Sequence, residues 1–309
     1  MTETSNTTTL SPRAAFSAGG TIDDSCVACR ARLPRTGYLR ISGGFLARCE
    51  NCQSWTSLPR PTVQSQASLH DTAEYFDHPY FQARREDKNL AAKRCRIIFS
   101  QISKYIDTKS LRGELMLDIG CDVGSLLAAA AESFGIIPIG LDVAERAVQA
   151  ARSRGLQVFH GTIEQAPVDF SSFKIATAVD IVEHATDPAN FLRSVRERMA
   201  AGGILYVQTP NCESVIYKLG WQICRATNGR PRGSVGRLFP PQHIQYFNRR
   251  GFQLLARRTG FEIVDIQTRT LPVADIVTSA LVRAGLMGLQ AIDSLGGRQI
   301  LLCTVLKKS

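Results

Sequence analysis

From about residue 115 onward the apolar positions come in short runs separated by stretches of helical period. Residues 115–118 (Leu-Met-Leu-Asp) read as a strand, and Ser125 opens an apolar helix over 126–131. A second strand over 136–141 ends at Asp142, and a helix follows over 145–152. Residues 156–160 and 174–180 read as the third and fourth strands. A helix over 188–199 then precedes a strong apolar strand at 203–208. Parallel strands need a helical crossover between them, so this alternation predicts an α/β fold with a doubly wound, mostly parallel sheet.

Upstream, residues 72–108 read as mainly helical, with Leu90, Ile97, Ile98, Ile102 and Ile106 at helical spacing. Residues 53–70 carry Pro59, Pro61 and several Ser and Gln, and read as a linker. Residues 38–41 and 43–48 alternate around Gly43-Gly44, the pattern of a β-hairpin. Residues 1–20 are Thr/Ser-rich without an apolar core, and read as a disordered tail rather than a secretory signal. No apolar run approaches the ~18–20 residues of a membrane span.

The first strand-to-helix turn is Ile119-Gly120-Cys121-Asp122-Val123-Gly124. Glycines there allow a tight turn and a close approach of backbone to ligand. The helix N-terminus that follows favours an anionic group. Asp142, at the end of the next strand, suits a ribose diol. These first two strands point to a ligand carrying adenosine.

Four of the nine cysteines are paired by spacing, Cys26 with Cys29 and Cys49 with Cys52. Each CxxC turn lets two thiolates face one point, and two such turns complete a tetrahedral zinc site. A module of about thirty residues buries little core, so a metal staple makes physical sense. With cysteine at all four positions no coordination position stays open, and the zinc is read as structural. Cys95, Cys121, Cys212, Cys224 and Cys303 are scattered through apolar or helical contexts. The odd total and the duplicated CxxC point to reduced thiols, a metal and a cytoplasmic location.

The net charge is +10, from 37 Lys and Arg against 27 Asp and Glu. Between Glu213 and Glu262 there is no acidic residue. That stretch holds Lys218, Arg225, Arg230, Arg232, Arg237, Arg249, Arg250, Arg257 and Arg258, which reads either as a solvated face or as a site for an anionic partner.

Asp118-x-Gly120-x-Asp122-x-Gly124 resembles the first motif of class I S-adenosylmethionine methyltransferases, usually written D/E-x-G-x-G-x-G, with Asp122 in place of the middle glycine. Later segments resemble the same family in the same order. Gly140-Leu141-Asp142 resembles its ribose-binding acidic motif, and Gly161-Thr162-Ile163-Glu164 falls at its adenine turn. Asp180-Ile181-Val182-Glu183-His184 with Asp187-Pro188 resembles its segment after the fourth strand. Residues 201–211 resemble its fifth strand. Pro241-Gln242-His243, Phe247 and Thr259-Gly260-Phe261 resemble a later stretch, and 298–307 its closing strand.

The resemblance covers about residues 110–308. It implies a Rossmann-like, mostly parallel seven-stranded sheet with a small N-terminal zinc-ribbon-like module. The implied division is a tail at 1–20, the module at 21–60, a linker and helical segment at 61–110, and a methyltransferase domain at 111–309. That domain carries a basic insertion at 212–248 and an apolar helical segment at 272–294. With its cysteine module the chain is similar to bacterial proteins that join CxxC…CxxC to such a methyltransferase.

The resemblance implies S-adenosylmethionine as cofactor, held by Asp118, Gly120, Cys121, Gly124, Asp142, Ile163 and Asp180. Asp118 would meet the methionine amine, Asp142 the ribose hydroxyls, and Ile163 the adenine. Asp118 and Asp142 have plainer readings as turn and helix caps. Methyl transfer from a sulfonium needs alignment more than acid–base power, although a hydroxyl acceptor gains from a base. His184, His243 and Glu183 are the candidates, and each histidine reads equally as a loop-pinning residue. The acceptor expected is a small molecule or glycan precursor, phosphorylated or sugar-linked, with Lys218, Trp221, Arg230 and Arg232 around it. Zinc and basic charge also suit an RNA methyltransferase. Against that reading, the segment after the fourth strand lacks the Asn/Asp-Pro-Pro-aromatic signature of base methylation. A non-catalytic adaptor has no need of Asp142 and Gly124 together.

Overall fold

The computed structural model describes residues 24–41, 44–62, 87–167, 170–230, 238–271 and 280–309, together with Gln66, Thr72, Arg85 and Val235. The expected tail, Gly43, most of 63–86, Arg232, Arg237 and the start of the 272–294 segment lie outside these residues.

The strands in chain order are β1 (Leu39–Ile41), β2 (Gly44–Arg48), β3 (Trp55–Leu58), β4 (Leu115–Ile119), β5 (Ile137–Asp142), β6 (Gln157–His160), β7 (Phe173–Val179), β8 (Met199–Pro210), β9 (Gln245–Tyr246), β10 (Phe261–Arg269) and β11 (Leu301–Lys308). The helices are α1 (Lys88–Ile102), α2 (Ser125–Phe134), α3 (Glu145–Ser153), α4 (Pro188–Arg198), α5 (Val215–Ala226), α6 (Arg249–Arg258) and α7 (Ala280–Leu295). None is long and apolar enough to cross a membrane.

Seven strands form one sheet in the order β10-β11-β8-β7-β4-β5-β6. All neighbours are parallel except β11, which runs antiparallel to both β8 and β10. This is the expected Rossmann-like sheet. Alternate residues of each central strand feed opposite faces. Met116, Ile175, Ile204, Tyr206 and Cys303 meet residues of α1 and α2 on one face. Leu117, Ala176, Leu205 and Leu302 meet residues of α4 and α6 on the other. Winding runs outward from β4 to β6, then restarts at β7 on the other side of β4. Crossovers diverge at such a reversal and leave a crevice beyond the carboxyl ends of the strands.

Helix starts follow local chemistry. The Asp187 carboxylate accepts from the N–H groups of Ala189 and Asn190, both at 3.0 Å, with Pro188 beginning α4.

The N-terminal module is tied into the larger domain. β1, β2 and β3 form an antiparallel sheet whose fourth strand is β9. Residues 53–70 were expected to be a linker, and Trp55–Leu58 is instead a strand. Its pairing partner lies far along the chain, Trp55 opposite Tyr246 and Thr56 opposite Gln245. A strand of four residues beside Ser and Pro has no periodicity of its own to detect. Asn248 completes the junction. Its amide donates to the Cys52 carbonyl at 2.7 Å, and its oxygen accepts from Ser54 Oγ and the Gly251 N–H at the start of α6. Gly251 must be small, since a Cβ there would stand 2.0 Å from Ser54 Oγ.

Candidate active site

The turn after β4 coils tightly because three of its residues are left-handed: Gly120 (φ 72°), Asp122 (φ 51°) and Gly124 (φ 78°). Aspartate is among the few residues that tolerate this region, which explains how Asp122 stands where the pattern has glycine. A Cβ on Gly120 would fall 2.0 Å from Ile181 Cδ1. The Gly120 and Cys121 N–H groups donate to the Leu141 carbonyl, fastening the turn to the end of β5.

Asp142 completes that fastening. One carboxylate oxygen accepts from the Asp122 N–H at 2.8 Å and the other from the Ala144 N–H at 2.9 Å. Burial pushes its carboxyl upward, and these bonds oppose the shift. The helix that follows begins at Ala144 without a side-chain cap, so Asp142 pins the turn rather than capping that helix.

Asp118 is buried at the base of the turn, where Thr177 Oγ1 donates to it at 2.6 Å. Burial raises its pKa to about 7, against the pull of that bond and of the nearby Arg94 charge. Cys121 is buried as well, and burial beside Asp118 pushes its thiol far up, so it is inert as a nucleophile.

These residues border a cavity of about 660 Å³ at the reversal between β4 and β7. Asp118, Gly120, Cys121, Asp142, Ile163 and Asp180 all line it. Gly124 lies just behind, with Leu156 against the space a Cβ would take. Asp180 is held in a left-handed conformation, and its carboxylate accepts from Gln208 Nε2 at 3.1 Å.

His184 lines the same cavity, whereas His243 and Glu183 stand behind it. The two imidazoles meet edge to face with centroids 4.8 Å apart. His184 Nδ1 is 2.9 Å from the Gln242 carbonyl, and burial lowers its pKa to about 4, so the ring is neutral near pH 7. Glu183 is fully buried and accepts from Thr209 Oγ1 at 2.9 Å.

Arg85, Arg94 and Gln66 also line the cavity, and the sequence pattern singled out none of them. Arg85 pairs with Asp122 at 2.7 Å. Gln66 Nε2 donates to the carbonyls of His184 and Gln242. All three precede the stretch that carries the resemblance, and one arginine among several on a helix gives no distinguishing signal.

Among the described residues, the basic stretch does not gather at the cavity. Lys218 and Arg230 are exposed and Trp221 packs at a tilt against Trp55 with ring centroids 4.6 Å apart, none of them lining it. Arg249 Nη1 donates to the Ile266 carbonyl, and Arg258 Nη2 to that of Val27.

A methyltransferase-domain family model matches residues 88–266, more than half of the chain. The chain belongs to the class I S-adenosylmethionine-dependent methyltransferases. This methyltransferase is 27% identical over 163 residues to the ubiquinone biosynthesis O-methyltransferase of Roseobacter denitrificans, covering 48% of this chain and 58% of that protein. It is 31% identical over 117 residues to the Marinobacter nauticus protein of the same name, covering 35% and 49%. The chain thus spans about half the length of the curated relatives it matches. A solved S-adenosylmethionine-dependent methyltransferase of Archaeoglobus fulgidus superposes with a TM-score of 0.51 at 18% identity, covering 74% of this chain and all of that one. The [4+2]-cyclase SpnF gives 0.53 at 16% identity, covering 80% and 96%. Such likenesses describe the fold and leave the reaction to the site.

Proposed function

We propose that the protein transfers the sulfonium methyl of S-adenosylmethionine to a hydroxyl of a small-molecule acceptor. The observation that carries this reading is the cavity at the β4/β7 reversal, with Asp118, Asp142 and Ile163 spaced around one volume. S-adenosylmethionine supplies an electrophilic methyl on a good leaving group. The chain's own residues bind and align it. Asp142 accepts from the ribose hydroxyls with the lone pairs its two backbone donors leave free. Asp118 meets the methionine ammonium. Arg94 and Arg85 favour the carboxylate end of the same group. Ile163 packs under the adenine, and Gly120 and Gly124 give the backbone room to approach. Asp180 and the Cys121 backbone close the wall.

The acceptor enters at the His184 end, with His243 behind, and those two rings serve the reacting hydroxyl. The name O-methyltransferase borne by the relatives supports an oxygen acceptor. A phosphorylated or sugar-linked acceptor draws support from the basic balance of the chain. An RNA acceptor draws little, because Arg249 and Arg258 are engaged with backbone carbonyls.

We further propose a structural zinc at Cys26, Cys29, Cys49 and Cys52. Their sulfurs lie within 4.8 Å of one another. Two of the separations, Cys26–Cys52 at 3.5 Å and Cys29–Cys49 at 3.6 Å, approach the ~3.8 Å edge of a tetrahedron with ~2.3 Å Zn–S bonds. Both far exceed a disulfide length of ~2.05 Å. None of the nine cysteines is in a disulfide, which supports a reducing, cytoplasmic setting.

Calorimetry with S-adenosylhomocysteine, on the natural chain and on Asp142→Ala, tests the cofactor assignment. Binding by the natural chain that is lost in the variant is the expected result. No binding by a folded, zinc-loaded protein overturns it. Nucleotide sugars and phenols are the first acceptors to screen for a mass gain of one methyl.

A further inference from the structure

The two ends of the cavity are held by different parts of the chain. At the cofactor end, the Gly120 and Cys121 N–H groups donate to the Leu141 carbonyl at 2.7 and 3.1 Å. The Asp122 N–H donates to the Asp142 carboxylate at 2.8 Å, and Thr177 Oγ1 to Asp118 at 2.6 Å. All of these partners belong to β4, β5, β7 and the turn after β4.

The His184 end is held from the N-terminal module. The Ser57 N–H of β3 donates to the Ile244 carbonyl at 2.7 Å. The Ile244 N–H donates in turn to the Glu183 carbonyl at 2.9 Å. Two backbone bonds thus join β3 to the 3₁₀ turn Val182–His184, whose last residue lines the cavity. Beside them Thr56 Oγ1 donates to Gln245 Oε1 at 3.0 Å. Gln66, which follows β3 in the chain, is buried and donates to the carbonyls of His184 at 3.1 Å and Gln242 at 2.7 Å.

We propose that the cysteine module positions the acceptor end of the cavity: with a metal at its four cysteines, β3 holds β9, and the start of β9 holds the turn that carries His184. The inference rests on the zinc and acceptor readings given above, and it gives the module a task in the methyl-transfer site.

The sizes of the pieces make the link depend on the metal. β9 has two residues, Gln245–Tyr246, and lies at the edge of its sheet with β3 as neighbour. A strand so short does not persist without its partner. β3 begins directly behind the second CxxC turn, where the Ser54 carbonyl accepts from the Cys49 N–H at 2.9 Å. The Cys52 carbonyl accepts from Asn248 Nδ2 at 2.7 Å, so the same turn also touches the residue after Phe247. A module this small has too little core to hold that turn unaided, and metal binding supplies its folding free energy. Loss of the metal therefore releases β3, then Ile244, then the Glu183 carbonyl. The hold of the larger domain resumes at Phe247, whose carbonyl accepts from the Cys212 N–H at 2.9 Å. This series of bonds does not pass through Leu141 or Asp142, so the cofactor end keeps its shape.

The test uses the full chain, zinc-loaded and after chelation. Hydrogen exchange is read by mass spectrometry, and S-adenosylhomocysteine affinity by calorimetry. Chelation should speed exchange of the Ser57, Ile244 and His184 amides by roughly tenfold or more. The Gly120, Cys121 and Asp122 amides and the S-adenosylhomocysteine affinity should stay as they were. Ser57→Pro removes the donor to Ile244 and touches no cysteine. It should keep one zinc in elemental analysis while Ile244 and His184 exchange as they do after chelation. Faster exchange confined to the module overturns the proposal. So does a rise that extends to Gly120 and Cys121 with loss of S-adenosylhomocysteine binding. A folded chain that takes up no metal sinks the zinc reading and this one with it. A zinc-loaded chain that ignores S-adenosylhomocysteine sinks the cofactor reading, while exchange still decides the coupling. If Ser57→Pro fails to load zinc, the loaded and chelated natural chains decide the question.

Discussion

Asp118→Asn separates two demands made on one buried carboxyl. Burial lifts its pKa from the ordinary 3.8 to about 7, although Thr177 donates at 2.6 Å and Arg94 lies near. A rise of that size corresponds to roughly 4 kcal/mol at ~1.4 kcal/mol per pH unit. The sign is unfavourable to folding. Between these values the unfolded chain has already released the proton, so stability falls as pH rises from about 4 and the full cost is present above about 7. Asparagine has the same shape and no charge, and avoids this cost. It leaves an amide to satisfy, which costs back about 1–3 kcal/mol. The cofactor-free variant should therefore be more stable than the natural chain at pH 8 by about 1–3 kcal/mol, and the advantage should vanish by pH 5. Cofactor binding should move the other way. Losing a charge-assisted bond to the ammonium costs about 1.5–3 kcal/mol, or roughly 10–150-fold in S-adenosylhomocysteine affinity. Denaturant unfolding at the two pH values and calorimetry at pH 8 provide both numbers. A variant that is less stable at pH 8, or that binds S-adenosylhomocysteine unchanged, would refute the reasoning.

Four further outcomes are expected. Gly120→Ala should lose about 2–4 kcal/mol by denaturant unfolding, from left-handed strain and from a Cβ placed 2.0 Å from Ile181 Cδ1. Asp142→Asn keeps only one acceptor for the Asp122 and Ala144 N–H groups, so calorimetry should give S-adenosylhomocysteine binding weaker by about tenfold or more. Cys49→Ser should abolish zinc in elemental analysis and shift the fluorescence of Trp55, whose strand pairs with β2. His184 has a lowered pKa of about 4, so the unfolded chain binds its proton first as pH falls below 6.5. His184→Asn should thus remove part of the stability lost between pH 6.5 and 4, read from thermal unfolding across that range.

What the sequence made legible was local. The Asp118–Gly124 turn and Asp142 belong to adjacent β-α units, where periodicity and turn chemistry act over a few residues. The N-terminal hairpin and both CxxC pairs are local in the same sense. What stayed hidden depends on distance along the chain. β3 exists because β9 pairs with it, and no window around Trp55 contains that partner. Arg85 and Arg94 reach the cavity from the segment ahead of the sheet, and nothing in a run of basic helical residues marks which ones face inward. Counting cations between Lys218 and Arg258 could not reveal that two of them, Arg249 and Arg258, are engaged with backbone carbonyls.

The junction between β3 and β9 also sets an order of events during synthesis. Thr56 and Gln245 are bonded side chain to side chain across 189 residues. Closing so long a loop costs only slightly more entropy than closing a shorter one, but it must wait until the later segment leaves the ribosome. The cysteine knuckle emerges early and then stands with an open sheet edge while the nucleotide-binding core is made beneath it. The first piece to fold is therefore completed among the last. A cut or fusion near residue 60 will be felt at His243, two residues ahead of β9.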